Sequence, residues 1–177
     1  MKHIAIPLAA AVVLSLISIQ SVPGEERKMS ELLIESPAFS HRGMIPSKYT
    51  CDGVDVNPPL SFTNIPEKTK SLALIVDDPD APMGTWVHWV VWNIGPGTRE
   101  IPERSVPQEA LQGTNDFRKQ GYGGPCPPSG THRYFFKLYA LDAPLPLQAG
   151  ATKAQLEQEM KGHIIAQAEL VGLYRRK

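Results

Sequence analysis

The sequence predicts a mainly β protein, an antiparallel β-sandwich with one or two short peripheral helices. Three observations carry this. Seventeen prolines in 177 residues are about twice the usual share of about 5% and leave little room for long helices. Short runs of β-branched, aromatic and aliphatic residues recur between Pro/Gly-rich breaks, the pattern of strands joined by turns. Hydrophobic residues make up 42% of the chain, enough for a packed core and too many for a disordered chain. The length suits one domain, on a prior of about 100 to 200 residues per domain.

Residues 1–24 stand apart. Met1-Lys2-His3 is a short positive start, Ile4 to Ile19 is apolar apart from Ser15 and Ser18, and Gln20 to Gly24 is a polar, turn-forming exit. This reads as a secretory signal peptide, with cleavage after Ser21 or Gly24 and an uncleaved anchor as the alternative. The apolar run is shorter than the roughly 20 residues of a comfortable membrane span, so no stable span is expected after cleavage. Residues 25–177 are then one domain of an exported, periplasmic protein.

Strand-like runs follow at Leu32–Ile34, Leu60–Phe62, Ser71–Val76, Trp86–Ile94 and Tyr134–Leu141. Asn57-Pro58-Pro59, Pro79 to Gly84, Gly95-Pro96-Gly97 and Gly121 to Gly130 separate them as turns or loops. Arg99 to Lys119 is the least patterned stretch and is read as an excursion carrying a short helix around Glu109. The better helix opens at Thr152, whose spacing to Gln155 matches a capping box, and Gly162 stops it. Ile164, Ala166, Ala168 and Leu170 then alternate with more polar positions, as in a half-buried final strand.

Charge excludes some functions. Eighteen Lys+Arg balance eighteen Asp+Glu, and the basic residues are scattered apart from Arg175-Arg176-Lys177, so no nucleic-acid partner is expected. Neither H-E-x-x-H nor a C-x-x-C pair occurs, so no metal or cofactor is expected. G-x-S-x-G is also absent, and Ser129 has no evident catalytic partner. Asp78 and Asp80 point to opposite faces of an extended chain, which disfavours a glycosidase pair.

Two loop-flanked stretches, Asp77 to Trp89 and Gly121 to Tyr134, concentrate polar residues that a plain sandwich core does not require. Asp78 ends one strand, and His88 lies two residues after Trp86 on the next, so a hairpin return could set Asp78 beside His88. His132 and Tyr134 share the same i, i+2 relation. Imidazole and phenol donors, with backbone N–H groups of the Gly123-Gly124 turn, suit a phosphate-like anion, and a carboxylate can fix an imidazole tautomer. The bland alternative has each His capping a strand end and each Asp filling a turn. Asp80-Ala81-Pro82-Met83-Gly84 is a tight turn in which a cis Ala81–Pro82 bond is one alternative. Cys51 and Cys126, both in turn-like contexts, are expected to bridge in an oxidising compartment and close a loop of roughly 75 residues. The alternative is two thiols packed as small hydrophobes; their distant spacing speaks against a redox-catalytic pair.

Asp78-Pro79-Asp80-Ala81-Pro82, Trp86-Val87-His88, Gly124-Pro125 and Gly130-Thr131-His132-Arg133-Tyr134 together resemble the two signature regions of the phosphatidylethanolamine-binding protein family, which includes the Raf kinase inhibitor proteins. The run Gly121 to Tyr134 and Tyr49-Thr50-Cys51-Asp52-Gly53 look like its bacterial branch, and the resemblance runs from about Leu32 to Tyr174. It implies a β-sandwich of that type with a small anion pocket at one end, formed by Asp78, Pro82, Trp86, His88, Gly124, His132 and Tyr134. The implied ligands are phosphate, phosphorylated amino acids or phospholipid headgroups, and the implied role is binding or modulation of a kinase or protease rather than catalysis. After Tyr174 the sequence carries a basic tail where animal members carry a long closing helix, so a role in Raf signalling is not expected. Three functions compete: an anion-binding module, an exported inhibitor of a protease or kinase-like partner, and an enzyme using His88 or His132 as general base on a phosphorylated substrate.

Overall fold

The computed structural model describes residues 31–176; the expected signal segment, 1–24, lies outside them. Ten elements follow in order: β1 (Leu33–Glu35), β2 (Gly43–Met44), β3 (Leu60–Thr63), β4 (Ser71–Asp78), β5 (Trp86–Ile94), β6 (Glu100–Ile101), β7 (Leu111–Gln112), β8 (His132–Leu141), α1 (Lys153–Met160) and β9 (Ile164–Tyr174). A short 3-10 turn at Ser47–Tyr49 lies between β2 and β3. They build a six-stranded sheet in the order β2-β9-β8-β4-β5-β7 and a three-stranded sheet in the order β1-β3-β6. The pairings are antiparallel except β2 with β9, which is parallel.

β4 sits centrally in the large sheet, and all eight of its residues are buried. Its Leu-Ala-Leu-Ile-Val run is continuous rather than alternating because both faces are covered. Leu72, Leu74 and Val76 join Ile34, Phe62, Trp89, Tyr134 and Phe136 in the core between the sheets. Ala73 and Ile75 face the other way and pack with Val90, Trp92, Leu156 and Met160 under α1. Fully burying each of the larger side chains contributes about 1.5–3 kcal/mol. The alternation continues into the end of β4. Asp78 therefore falls on the sandwich face, while Asp77 falls on the helix face, where Lys137 and Lys153 meet its carboxylate at 2.8 and 2.7 Å.

α1 starts as the sequence predicts. Thr152 accepts from the Gln155 N–H, the Gln155 side chain reaches back to the Thr152 N–H, and the helix ends before Gly162 at φ 84°. The expected helix around Glu109 does not form. A single turn closes from the Ala110 N–H to the Pro107 carbonyl, and Glu109, at φ 67°, leaves helical geometry before a second turn can start. The stretch serves instead as β6, β7 and their links. The described residues contain no cis peptide bond, so Ala81–Pro82 is trans. Cys51 and Cys126 are bridged.

Candidate functional site

The site sits at one end of the sandwich, where β4 ends, β5 begins and β8 begins. Two loops close over it. Asp78, Ala81, Pro82, Trp86, His88, Phe117, Cys126, Pro127, Pro128 and His132 line a cavity of about 250 Å³, smaller than a typical drug-sized pocket. Its floor is polar and its walls are aromatic and prolyl.

His88 owes its position to an irregularity. Val76 pairs with Trp89 and Asp77 with Val87, so His88 is an extra residue on β5, and such a bulge re-aims a side chain. Its ring is 3% exposed as a residue, with Nδ1 2.6 Å from the Gly123 carbonyl. A carbonyl only accepts, so Nδ1 carries the proton and Nε2 is left as an acceptor in the neutral ring. Burial pushes this imidazole below the ordinary histidine range, against the opposing pull of the Gly123 carbonyl and the Asp78 carboxylate.

Asp78 does not pair with His88, as the hairpin reading suggests, but with His132, whose Nδ1 donates to Oδ2 at 2.7 Å. The bulge swings His88 out of simple register, while β8, paired on the other flank of β4, delivers His132 to the carboxylate. The second carboxylate oxygen, Oδ1, accepts the Asp80 N–H at 2.8 Å, starting the loop that carries Ala81 and Pro82. Both histidines thus have Nδ1 committed to a protein acceptor, and neither Nε2 has a partner among the described residues.

Tyr134 and Gly124 fall behind the cavity wall rather than in it. The Tyr134 ring is fully buried, edge-on to His88 at 5.2 Å, and its hydroxyl has no partner among the described residues. Burial first, then the Asp78 and Asp80 carboxylates, hold this phenol well above the ordinary tyrosine range, so it remains a neutral donor. The expected Gly-Gly donors are already engaged. Gly123 N–H donates to the His88 carbonyl at 3.0 Å and Gly124 N–H to Asp55 Oδ1 at 2.7 Å. Glycine is required at both for close approach: a Cβ on Gly123 would strike the Phe117 ring, and one on Gly124 the backbone of Tyr49 and Thr50.

The sequence reading missed Ala81, Phe117, Cys126, Pro127 and Pro128 as lining residues, and Phe117 is the aromatic one among them. Asp116 accepts the Val87 N–H at 2.6 Å and Asn115 reaches the His88 carbonyl at 3.3 Å. This docks the loop so that Phe117 packs edge-on to Trp86 at 5.4 Å and to His88 at 5.3 Å. A lone aromatic in the polar run Asn115-Asp116-Phe117-Arg118 was its only signal. Across the mouth, Arg133 grips Asp80 through Nε at 2.8 Å and a second guanidinium nitrogen at 2.6 Å. That pair holds the Asp80 carboxyl below the ordinary range and ties the 79–84 loop to β8. Next to Pro82, Met83 is 95% exposed.

No Lys or Arg lines the cavity, so its formal charge comes from Asp78 and from any proton on His88 or His132. The result is a small cleft at the end of a β-sandwich, with apolar walls and two imidazole edges on its floor.

The sequence pattern of the phosphatidylethanolamine-binding protein family matches residues 35–175, and the chain belongs to that family. It is 50% identical to the UPF0098 protein PH1269 of Pyrococcus horikoshii, over 97% of this chain and 89% of that one. It is 51% identical to a UPF0098 protein of Methanothermobacter thermautotrophicus, over 81% and 98% respectively. Among solved structures, a putative phosphatidylethanolamine-binding protein homologue, CT736 of Chlamydia trachomatis, superposes with a TM-score of 0.80 at 46% identity, covering 83% of this chain and 99% of the other. YbcL of E. coli superposes at 0.79 with 32% identity, covering 84% and 100%.

Proposed function

We propose that the cavity binds one phosphoryl group, free or as the ester of a small headgroup, with His88 and His132 gripping its oxygens through Nε2. One observation carries this reading. Two imidazoles line the same small cavity, each with Nδ1 anchored on a protein acceptor and Nε2 unengaged. A protonated Nε2 donates to a phosphoryl oxygen, and Asp78 balances the charge of an imidazolium at His132. In its neutral form Nε2 accepts instead from the P–O–H of a protonated phosphate. The aromatic and prolyl walls accommodate a short organic substituent.

The protein is accordingly read as an exported binding module, which fits the N-terminal apolar segment and the disulfide. Binding could in turn modulate a partner protein through the rim, a second reading favoured by exposed Met83 beside the mouth. The discriminating experiment is calorimetry of the wild type, His88→Ala and His132→Ala with phosphoethanolamine, glycerophosphoethanolamine and phosphotyrosine. Each substitution is expected to weaken binding by about 1.5–3 kcal/mol, the range for hydrogen bonds to charged groups. Unchanged affinity in both variants would remove the assignment.

A further inference from the structure

We propose that the Cys51–Cys126 disulfide is a thiol-responsive latch on the pocket, and that a dithiol reductant releases the cavity wall and weakens the anion site. The ligand half of this proposal rests on the phosphoryl-binding reading above.

The argument begins with how the wall is held. Cys126, Pro127 and Pro128 form one side of the cavity. Just before them, the chain is pinned by hydrogen bonds beyond the one from His88 Nδ1 to the Gly123 carbonyl. Tyr122 Oη donates to the Tyr49 carbonyl at 3.0 Å, Gly123 N–H to His88 and Gly124 N–H to Asp55; the Pro125 carbonyl accepts the Cys51 N–H at 3.1 Å. From Cys126 to Thr131 the pinning stops. This run lies outside any strand or helix, and no hydrogen bond joins it to another described residue until β8 begins at His132. Its one cross-link to the body is the disulfide to Cys51, with the two Cα atoms 5.4 Å apart.

The latch is also reachable. Both cysteines are exposed, unlike a core disulfide shielded from nucleophiles, and accessible disulfides are the labile ones. Pro128, Ser129, Gly130 and Thr131 are exposed with them, and Gly130 is in the left-handed region at φ 70°, so the disulfide and the buried Pro127 are what hold this arc in place.

The chemistry balances as ordinary exchange. One thiolate of the dithiol attacks a sulfur of the bridge, forming a mixed disulfide and expelling the other cysteine as thiolate. The second thiol of the reductant then displaces the first cysteine. The protein gains two electrons and two protons, and the reductant leaves as its own disulfide. Either a small dithiol or a protein carrying a dithiol pair supplies the electrons.

The structure supplies its own reporter. Trp89 and Trp92 are fully buried, whereas Trp86 is part-exposed at the cavity, so an aqueous quencher reads Trp86. The full chain is purified oxidised, and one half is treated with dithiothreitol. Both halves are followed by phosphoethanolamine calorimetry, acrylamide quenching, and amide exchange at Cys51, Gly123 and Gly124, whose hydrogen-bonded N–H groups pin the base of this wall. Reduction is expected to weaken phosphoethanolamine at least threefold and to raise quenching and exchange at this wall, with far-UV circular dichroism unchanged. A Cys51→Ser/Cys126→Ser variant should match the reduced protein without reductant present. A loss smaller than threefold, or global unfolding on reduction, would overturn the latch. Oxidised protein that fails to bind phosphoethanolamine would instead overturn the pocket reading and the ligand half of this proposal; release of the wall then stands or falls on quenching and exchange.

Discussion

Anion binding at this site is expected to take up protons, and the geometry says how strongly. Because Nδ1 of His88 must donate to a carbonyl and Nδ1 of His132 points at a carboxylate, a donor at either Nε2 requires a second proton on that ring. A phosphodiester headgroup keeps its single negative charge and brings no proton, so the protein must supply the donors. At pH 7.5 a proton on His88 costs at least about 1.4 kcal/mol, since that pH is one unit above the unperturbed value of about 6.5 and burial moves the ring further down. Affinity for a diester should therefore rise up to about tenfold per pH unit on acidification for each proton taken up, and should still be rising below pH 6.5. A phosphomonoester behaves differently because its second ionisation lies near pH 6, as in phosphoserine. Above that value it needs a proton from solution; below it the dianion is depleted, and the curve flattens into a shallow maximum. The assay is calorimetry from pH 5 to 8 with phosphoethanolamine and glycerophosphoethanolamine, in buffers of different ionisation enthalpy. At least one proton should be taken up per diester bound at pH 7.5, and two where both imidazoles donate. Flat, parallel curves with no buffer dependence would refute the mechanism, because ligand oxygens cannot meet unprotonated Nε2 atoms favourably without a proton between them.

The remaining predictions concern stability. Removing the Cys51–Cys126 bridge should lower unfolding free energy by about 4 kcal/mol in the chain-entropy picture for a loop of this length, read as the midpoint shift in urea between the wild type and the Cys51→Ser/Cys126→Ser variant. His88 is held neutral by burial, so its folded value lies below its unfolded one. The unfolded chain then binds more protons below about pH 6.5, and stability present above that pH is lost as pH falls through the window; His88→Gln should flatten this slope in ligand-free urea titrations. Thr152→Ala removes both hydroxyl contacts of the capping box and should cost about 1 kcal/mol, read as a lower thermal midpoint.

Much of the frame was legible because the code for it is local. An uninterrupted Leu72–Val76 run, alternation in His132 to Ala140, and a Thr-x-x-Gln start each report burial or capping within a few residues. What escaped the reading is set by contacts that period-2 reasoning cannot see. The bulge at His88 arises between β4 and β5 and breaks the register on which the Asp78–His88 pairing depended; the partner that Asp78 takes instead lies 54 residues away. Phe117 becomes a pocket wall only because Asp116 and Asn115, in an unpatterned loop, bond back to β5. The glycine pair was noticed for its N–H groups, yet its place in the fold follows from the missing Cβ atoms, which let Phe117 and the 49–55 segment pack against the loop. The consequence bears on the chemistry. With those N–H groups engaged and no Lys or Arg on the lining, the two imidazoles, with the buried Tyr134 hydroxyl behind them, are the donors nearest to hand. On the proposed reading such a site discriminates by protonation state rather than by fixed positive charge, so the pH profile, more than the affinity at any one pH, tests what it binds.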